Sequence, residues 1–401
     1  MKRSKLKIML IAPIFLPISR NLTYGGIERV ISFLDTELIR MDMESYVVAP
    51  SDSEVYGKLI PTLEKHAWAI TGYTIKSDIF SDLYEKHYET AIDYAIENGI
   101  DVLHDHTGKI IGSKAYKIKK HQINFPILIT LHGSANNEKM EIYRDYKTPN
   151  QKVFFNAISK SQKRLFSEIV SVDTVIYNGL DVENYPYSEQ KMPFLLSLGR
   201  LSQKKGQDLA IRTAKELGMK LVIAGNVHEA DKEFYAEEIR PHLDMILDEI
   251  PYSSKWFEGY ILPALKEGQI IHTGGVNDAQ KKELYKHAQC FLMPIRWDEP
   301  FGLVMIEALA CGTPVVAINR GSVPEIVEHG FNGYVVQDSA DLANHIRQLN
   351  NINPRNCRNT VETKFSTVTN AESYVSLYNR IISTYNARKM TENALLNPRQ
   401  L

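Results

Sequence analysis

Short runs of β-branched and apolar residues alternate with longer stretches of helical periodicity along the whole chain, and this alternation restricts the fold more than any other feature. It is the pattern of parallel sheets covered by helices on both faces, because a parallel strand needs a crossover and is buried on both sides. The spacing predicts strands at Lys7–Ala12, Tyr46–Ala49, Val102–His104, Ile127–Leu131, Val153–Ala157 and Thr174–Tyr177 in the first half. A second series follows at Phe194–Leu198, Lys220–Ala224, Ile270–Thr273, Cys290–Met293 and Pro314–Ile318. Two α/β domains of the Rossmann type are expected, residues 1–185 and 190–365. The polar segment Asp181–Pro193, which contains Pro186 and Pro193, serves as the linker. A last amphipathic stretch, 371–388, carries Tyr374, Leu377, Tyr378 and Ile381 at helical spacing, and either packs on the nearer domain or crosses back to the first.

Composition removes several function classes. Forty-seven Lys and Arg against 48 Asp and Glu leave a formal net charge of -1, so no global field draws the chain to nucleic acid or an anionic bilayer. Cys290, Cys311 and Cys357 are odd in number and far apart, which argues against a disulfide framework or a zinc cluster and fits the cytoplasm. Lys2, Arg3, Lys5 and Lys7 precede an apolar run, but Pro13 and Pro17 interrupt it, so it reads as a first strand rather than a signal sequence. No segment approaches the roughly 20 apolar residues that span a bilayer. Peripheral membrane contact is left open without being favoured. The basic stretch Lys114, Lys117, Lys119 and Lys120 reads more readily as a solvated helix face than as a lipid-docking surface.

The densest chemistry lies in Trp297–Pro314. Pro300 and Gly302 suit a tight helix entrance before the helix-compatible run Leu303–Ala310, whose first N–H groups attract phosphate. Glu299 precedes that entrance. Glu307 sits among Val304, Met305, Ile306, Ala308 and Leu309, where an unpartnered carboxylate is costly and a sugar hydroxyl could partner it. Upstream, Gly199-Arg200-Leu201 is followed by Lys204-Lys205-Gly206, and downstream comes Gly321-Ser322-Val323-Pro324-Glu325. Together these resemble the Glu-x7-Glu, Gly-Arg-Leu…Lys-Gly and Gly-Gly-x-Pro-Glu motifs of the retaining GT-B glycosyltransferases of family 4. The run is most similar to the bacterial subgroup that includes avilamycin-type and tetrahydrobiopterin glucosyltransferases. The likeness is sharpest over residues 197–336.

The resemblance implies an α/β chain of GT-B architecture, two Rossmann-like domains facing across a cleft, with the acceptor bound by the first and a nucleotide-sugar donor by the second. Arg200 and Lys205 would contact the diphosphate, one guanidinium and one ammonium neutralising the leaving group without a metal. Glu307 would hold the ribose hydroxyls and Glu299 the transferred sugar. The N–H groups near Phe301, Gly302 and Leu303 would bind phosphate. Gly275 and Val276 would meet the nucleobase, although the same glycines read equally well as a plain strand-to-helix turn. In the first domain Tyr24-Gly25-Gly26 opens a helix, and Gly25 and Gly26 would face the diphosphate; a simple turn is the competing reading.

His104-Asp105-His106 ends a predicted strand, with His104 and His106 on one face. A metal site would need further ligands, and no carboxylate cluster of the right spacing accompanies them. The resemblance instead places His106 at the reaction centre and His132 along the acceptor side, while His104 reads as a strand-end histidine satisfied by its neighbours. Ala157-Ile158-Ser159 and Asn178-Gly179 match loops that border the cleft. The expected reaction moves a hexose from a nucleoside-diphosphate sugar, UDP-glucose or a close relative, to an unidentified acceptor hydroxyl, with no cofactor and no metal. A sugar-nucleotide epimerase of the same architecture and a non-catalytic sugar-nucleotide binder are the rivals. A nicotinamide oxidoreductase is disfavoured because no Gly-x-Gly-x-x-Gly follows a strand.

Overall fold

A computed structural model describes residues 5–19, 25–71, 77–133, 137–148, 152–247 and 250–396. Tyr24 of the glycine motif, Asn136 and Pro149 of the long loop after the fifth strand, and the tail 397–401 lie outside them. The chain forms two units: one comprises 1–179 with 367–401, the other 180–366.

In the first unit the strands are β1 (Lys7–Ile11), β2 (Glu44–Ala49), β3 (Lys58–Pro61), β4 (Val102–Asp105), β5 (Ile127–Leu131), β6 (Val153–Ala157) and β7 (Thr174–Val175). All pair in parallel, in the order β3-β2-β1-β4-β5-β6-β7. Because successive side chains point to opposite faces, Ile8 and Leu10 join one core and Met9 and Ile11 the other. The first core is closed by the helix Gly26–Arg40 and by the C-terminal helix Thr367–Leu396, through Leu34, Leu38, Tyr374 and Tyr378. The second is closed by Tyr88, Ile92, Tyr143 and Phe166.

In the second unit the strands are β8 (Met192–Leu198), β9 (Lys220–Ala224), β10 (Met245–Ile246), β11 (Ile270–His272), β12 (Ala288–Met293), β13 (Val315–Ile318) and β14 (Gly333–Val336). They too are parallel, in the order β10-β11-β9-β8-β12-β13-β14. Each sheet therefore runs outward from a central pair and reverses its winding there, β1 beside β4 and β8 beside β12. Such switch points leave a crevice at the carboxyl ends of the strands, where open α/β sheets bind ligands.

The three strands that the alternation did not predict, β3, β10 and β14, are all edge strands. β3 and β10 are short and half exposed, so they lack the continuous apolar run that marks a central parallel strand, whereas β14 is largely buried but only four residues long and opens on Gly333. β3 also ends in Pro61, tolerated where no ladder partner needs its N–H. The C-terminal helix is longer than expected, since nothing between Thr367 and Leu396 is Gly or Pro. The lysine stretch forms the helix Lys114–Lys119, capped by Ser113 accepting from the Tyr116 N–H, with Lys119 paired to Asp93 at 2.6 Å. All three cysteines are buried and free.

Candidate active site

In the second unit, the loops after β8, β9, β12 and β13 come together, and glycines allow their backbones to pass closely. Gly199 has φ 141° and Gly225 φ 149°, and a Cβ on Gly225 would sit 2.0 Å from the Gly199 carbonyl oxygen. Gly206 is left-handed, with φ 72°, and a Cβ there would fall 2.0 Å from the Pro294 oxygen. Gln207 ties the turn, donating to the Arg200 oxygen at 3.1 Å and accepting from the Ser202 N–H at 3.3 Å. These contacts carry Lys205 to the acidic loop after β12. Its Nζ lies 2.7 Å from Glu299 Oε2 and 5.0 Å from the Trp297 ring centre. Arg200 is exposed, its Nε 3.4 Å from Asp231.

Glu299 is buried, and the loop after β13 supports it from behind: Ser322 N–H donates to the Glu299 oxygen at 2.9 Å and Ser322 Oγ to the Phe301 oxygen at 2.6 Å. Gly302, at φ 82°, then opens the helix Leu303–Ala310 with no side-chain cap; Met305 N–H donates to the Gly302 oxygen at 3.0 Å, and the N–H groups of Leu303 and Val304 before it have no intrahelical acceptor. Lys205, Glu299 and this helix start are thus brought together.

Glu307 lies one turn inside the helix and is 2 % exposed. The sequence calls for a hydrogen-bonding partner there, for which a sugar hydroxyl is one candidate. Instead Lys281 Nζ donates to Oε1 at 2.6 Å, joined by the hydroxyls of Tyr185 at 3.2 Å and Tyr285 at 3.4 Å. The sequence reading missed Lys281 and Tyr285, although a signal existed: they lie four apart on the helix Asp278–His287 and so share a face. Gly275 packs under Asn226, whose Oδ1 would be 2.2 Å from a Cβ there, and Val276 beside it is half-buried. The indole Nε1 of Trp297 is buried with no hydrogen-bond partner.

In the first unit, Gly25, at φ 116°, precedes the helix Gly26–Arg40 without a side-chain cap. Glu28 folds back over it, so that a Cβ on Gly25 would lie 2.8 Å from Glu28 Oε2. Burial pushes the Glu28 carboxyl up to about 7, against the opposing pull of a backbone N–H. At the ends of β4 and β5 three imidazoles form a column: His104 and His106 are 4.0 Å apart between ring centres, His106 and His132 5.2 Å and nearly parallel. His106 Nδ1 is 2.9 Å from His132 Nε2, and its own Nε2 is buried with no partner. Burial lowers all three below the ordinary histidine range, His132 to about 3, so they are neutral at pH 7.

His104 is fully bonded, and its tautomer follows from its neighbours. Thr130 gives its one hydroxyl proton to Asn156 Oδ1 at 2.7 Å, so it must accept from His104 Nε2–H at 2.6 Å. Nδ1 is then the acceptor, and the Tyr378 hydroxyl donates to it at 2.7 Å. Tyr374 completes the network at 3.2 Å from Thr130. With both nitrogens committed His104 has no lone pair for a metal, and among the described residues no cluster of three His, Cys, Asp or Glu side chains could hold one. Asn178 Oδ1 is also buried without a partner. Near it in sequence, Ser159 caps the helix Lys160–Ser167 by accepting from Gln162 N–H.

Residues 186–364 match the family model for glycosyl transferases group 1. An uncharacterized glycosyltransferase of Methanocaldococcus jannaschii is 25% identical over 276 residues, 66% of this chain and 68% of that protein. The lipopolysaccharide 1,2-N-acetylglucosaminetransferase of Salmonella typhimurium is 25% identical over 275 residues, 63% of each. Among solved structures, AviGT4, a glycosyltransferase involved in avilamycin A biosynthesis, superposes with a TM-score of 0.63 at 20% identity, covering 94% of this chain and 98% of its own. Anabaena HepE in complex with UDP-glucose gives 0.63 at 19%, covering 94% and 100%. The chain has the GT-B fold of these structures, and the match to the glycosyl transferases group 1 model lies within its second unit.

Proposed function

We propose that the protein is a retaining glycosyltransferase of the family 4 type that moves a hexose from a UDP-sugar, glucose or a close relative, to an acceptor hydroxyl without a metal. One observation carries the donor assignment: Lys205 and Glu299 meet at the uncapped start of the helix Leu303–Ala310, and Glu307 lies one turn further along it. A diphosphate fits the helix start, where N–H groups and a nearby ammonium complement its charge. Arg200 and Lys205 bind it, Glu299 and the Trp297 indole N–H bind the sugar, and the Glu307 carboxylate takes a ribose hydroxyl. Gly275 and Val276 contact the base through the backbone, as glycine permits. The UDP-glucose complex of a structure with this fold supports the donor class.

In the reaction the bond between the anomeric carbon and the phosphate oxygen breaks and a bond from that carbon to the acceptor oxygen forms on the same face. The acceptor proton passes to the departing phosphate oxygen. Arg200, Lys205 and the helix start stabilise the negative charge that develops there. In the first unit, Gly25 and Gly26 offer N–H groups to the diphosphate, the unpartnered His106 Nε2 contacts the reacting sugar, and His132 flanks the acceptor.

The test is a thermal-shift panel of nucleotide sugars with product analysis. UDP-glucose raises the melting temperature of the wild type, and Lys205→Ala and Arg200→Ala remove most of that rise while leaving the unliganded melting temperature within a few degrees. Stabilisation by NAD but not by any nucleotide sugar overturns the reading.

A further inference from the structure

Given the UDP-sugar reading, on which this rests, we propose that the side-chain amide of Asn226 hydrogen-bonds the edge of the donor's uracil and so helps to select the nucleotide.

Three loops meet at the carboxyl ends of the adjacent parallel strands β8, β9 and β11, where such sheets take ligands. Backbone bonds fix them to one another. Leu201 N–H donates to the Asn226 oxygen at 3.0 Å, and Gly225 N–H to the Gly274 oxygen at 2.8 Å. His272 Nε2 lies 3.0 Å from the Gly225 oxygen, and since a carbonyl only accepts, that nitrogen carries the proton. The backbone of Asn226 is thereby locked beside the loop that carries Arg200, which binds the diphosphate in the donor reading.

The side chain of Asn226 takes no part in that locking. Its amide lies over Gly275, where a Cβ would stand 2.2 Å from Oδ1 and 2.9 Å from Nδ2. Gly275 is not among the glycines with positive φ, so its backbone does not call for glycine; the space for a side chain is already filled by the amide. Yet the amide makes no hydrogen bond to any described residue. Asn226 and Gly275 are both exposed, so a ligand can reach them. A carboxamide on a fixed backbone offers that ligand one acceptor and two donors, next to the glycine that meets the base in the same reading.

The pattern matches a base edge. Uracil presents N3–H between two carbonyl oxygens, so Oδ1 accepts from N3–H while Nδ2 donates to the neighbouring oxygen. A carboxylate of the same size has two acceptors and no donor. It opposes uracil, setting one oxygen against a carbonyl, and suits guanine, whose N1–H and 2-amino group are two donors side by side.

Isothermal titration of UDP, GDP and inorganic pyrophosphate against the wild type, Asn226→Ala and Asn226→Asp tests the assignment. Asn226→Ala weakens UDP about tenfold, as the loss of a pair of neutral hydrogen bonds implies, and leaves pyrophosphate within about twofold. Asn226→Asp weakens UDP further and moves the UDP:GDP affinity ratio toward GDP by about tenfold or more. The added charge acts on both nucleotides alike and is read from pyrophosphate. A merely structural Asn226 would weaken all three ligands together and leave the ratio unchanged. UDP binding untouched by Asn226→Ala, a loss of pyrophosphate equal to that of UDP, or a constant ratio in Asn226→Asp overturns the proposal while the donor reading stands. A wild type that binds no nucleotide ends both.

Discussion

Lys281 makes a 2.6 Å bond to a carboxylate that is almost completely enclosed, and also lies 3.3 Å from Asp278 on its own helix. Removing one partner of such a pair strands the other charge. Lys281→Met therefore destabilises the protein by about 3–5 kcal/mol, and the double variant with Glu307→Gln recovers a substantial part of the loss. Urea unfolding of the four members of that cycle measures it, and a cycle with no coupling would show that the two side chains act separately. At Gly206 the constraint is steric. Gly206→Ala adds a Cβ against the Pro294 oxygen at a positive φ, so the turn shifts, stability falls by about 2 kcal/mol or more, and KM for the donor rises as Lys205 moves away from Glu299. A variant with unchanged KM would separate the turn from donor binding.

Much at this scale could be read in the sequence. Arg200, Lys205, Glu299 and Glu307 were singled out by motif and by the cost of burying an acid among apolar residues. The partners were harder, because Lys281, Tyr185 and Tyr285 lie far from Glu307 along the chain and only folding brings them together. Trp297 Nε1 carried no signal beyond residue type: whether an indole N–H is left unpaired is a fact of packing.

Among the elements, the C-terminal helix does more than cover apolar surface. Tyr374 and Tyr378 end their hydrogen bonds on Thr130 and His104 at the tips of β5 and β4. Tyr378→Phe leaves His104 Nδ1 buried without a donor, a loss of about 1–3 kcal/mol measurable by denaturant titration. A chain ending at Ser366 lacks one wall of a core and exposes Tyr374's and Tyr378's former partners, and it is expected to be insoluble or to bind a hydrophobic dye. The helix itself was legible from Tyr374, Leu377, Tyr378 and Ile381, but which sheet it covers was left open, since amphipathicity reports a buried face and not what buries it. The edge strands β3 and β10 escaped for the complementary reason, since half-exposed strands have weak patterns, and β14 escaped because it is only four residues long and opens on a glycine.

For the molecule as a whole, acid sensitivity is concentrated in the first unit. His87, at about 4, and His104, His106 and His132 are all held below their unfolded value by burial. A group whose folded pKa is depressed leaves the unfolded chain binding more protons between the two values, so stability rises with pH there and is lost as pH falls below about 6.5. Each imidazole contributes about 1.4 kcal/mol per pH unit across its window. Glu28, raised to about 7, acts in the opposite sense between its unfolded value and 7, and burial raises the Asp105 and Asp173 carboxyls too, so these three offset part of the effect of the four imidazoles. The melting temperature therefore declines from pH 7 to pH 5, and hydrogen exchange at pH 5 quickens first in β4 and β5. Uniform exchange across both sheets would contradict this.

The chain completes all of the second unit before it supplies Thr367–Leu396 to the first. During synthesis, then, residues 180–366 can close as soon as they clear the ribosome, whereas the earlier-made sheet must wait with His104, Thr130 and Asn156 uncovered until its last wall emerges. The order of translation and the order of maturation are reversed, and the interval between them is when a chaperone has most to protect.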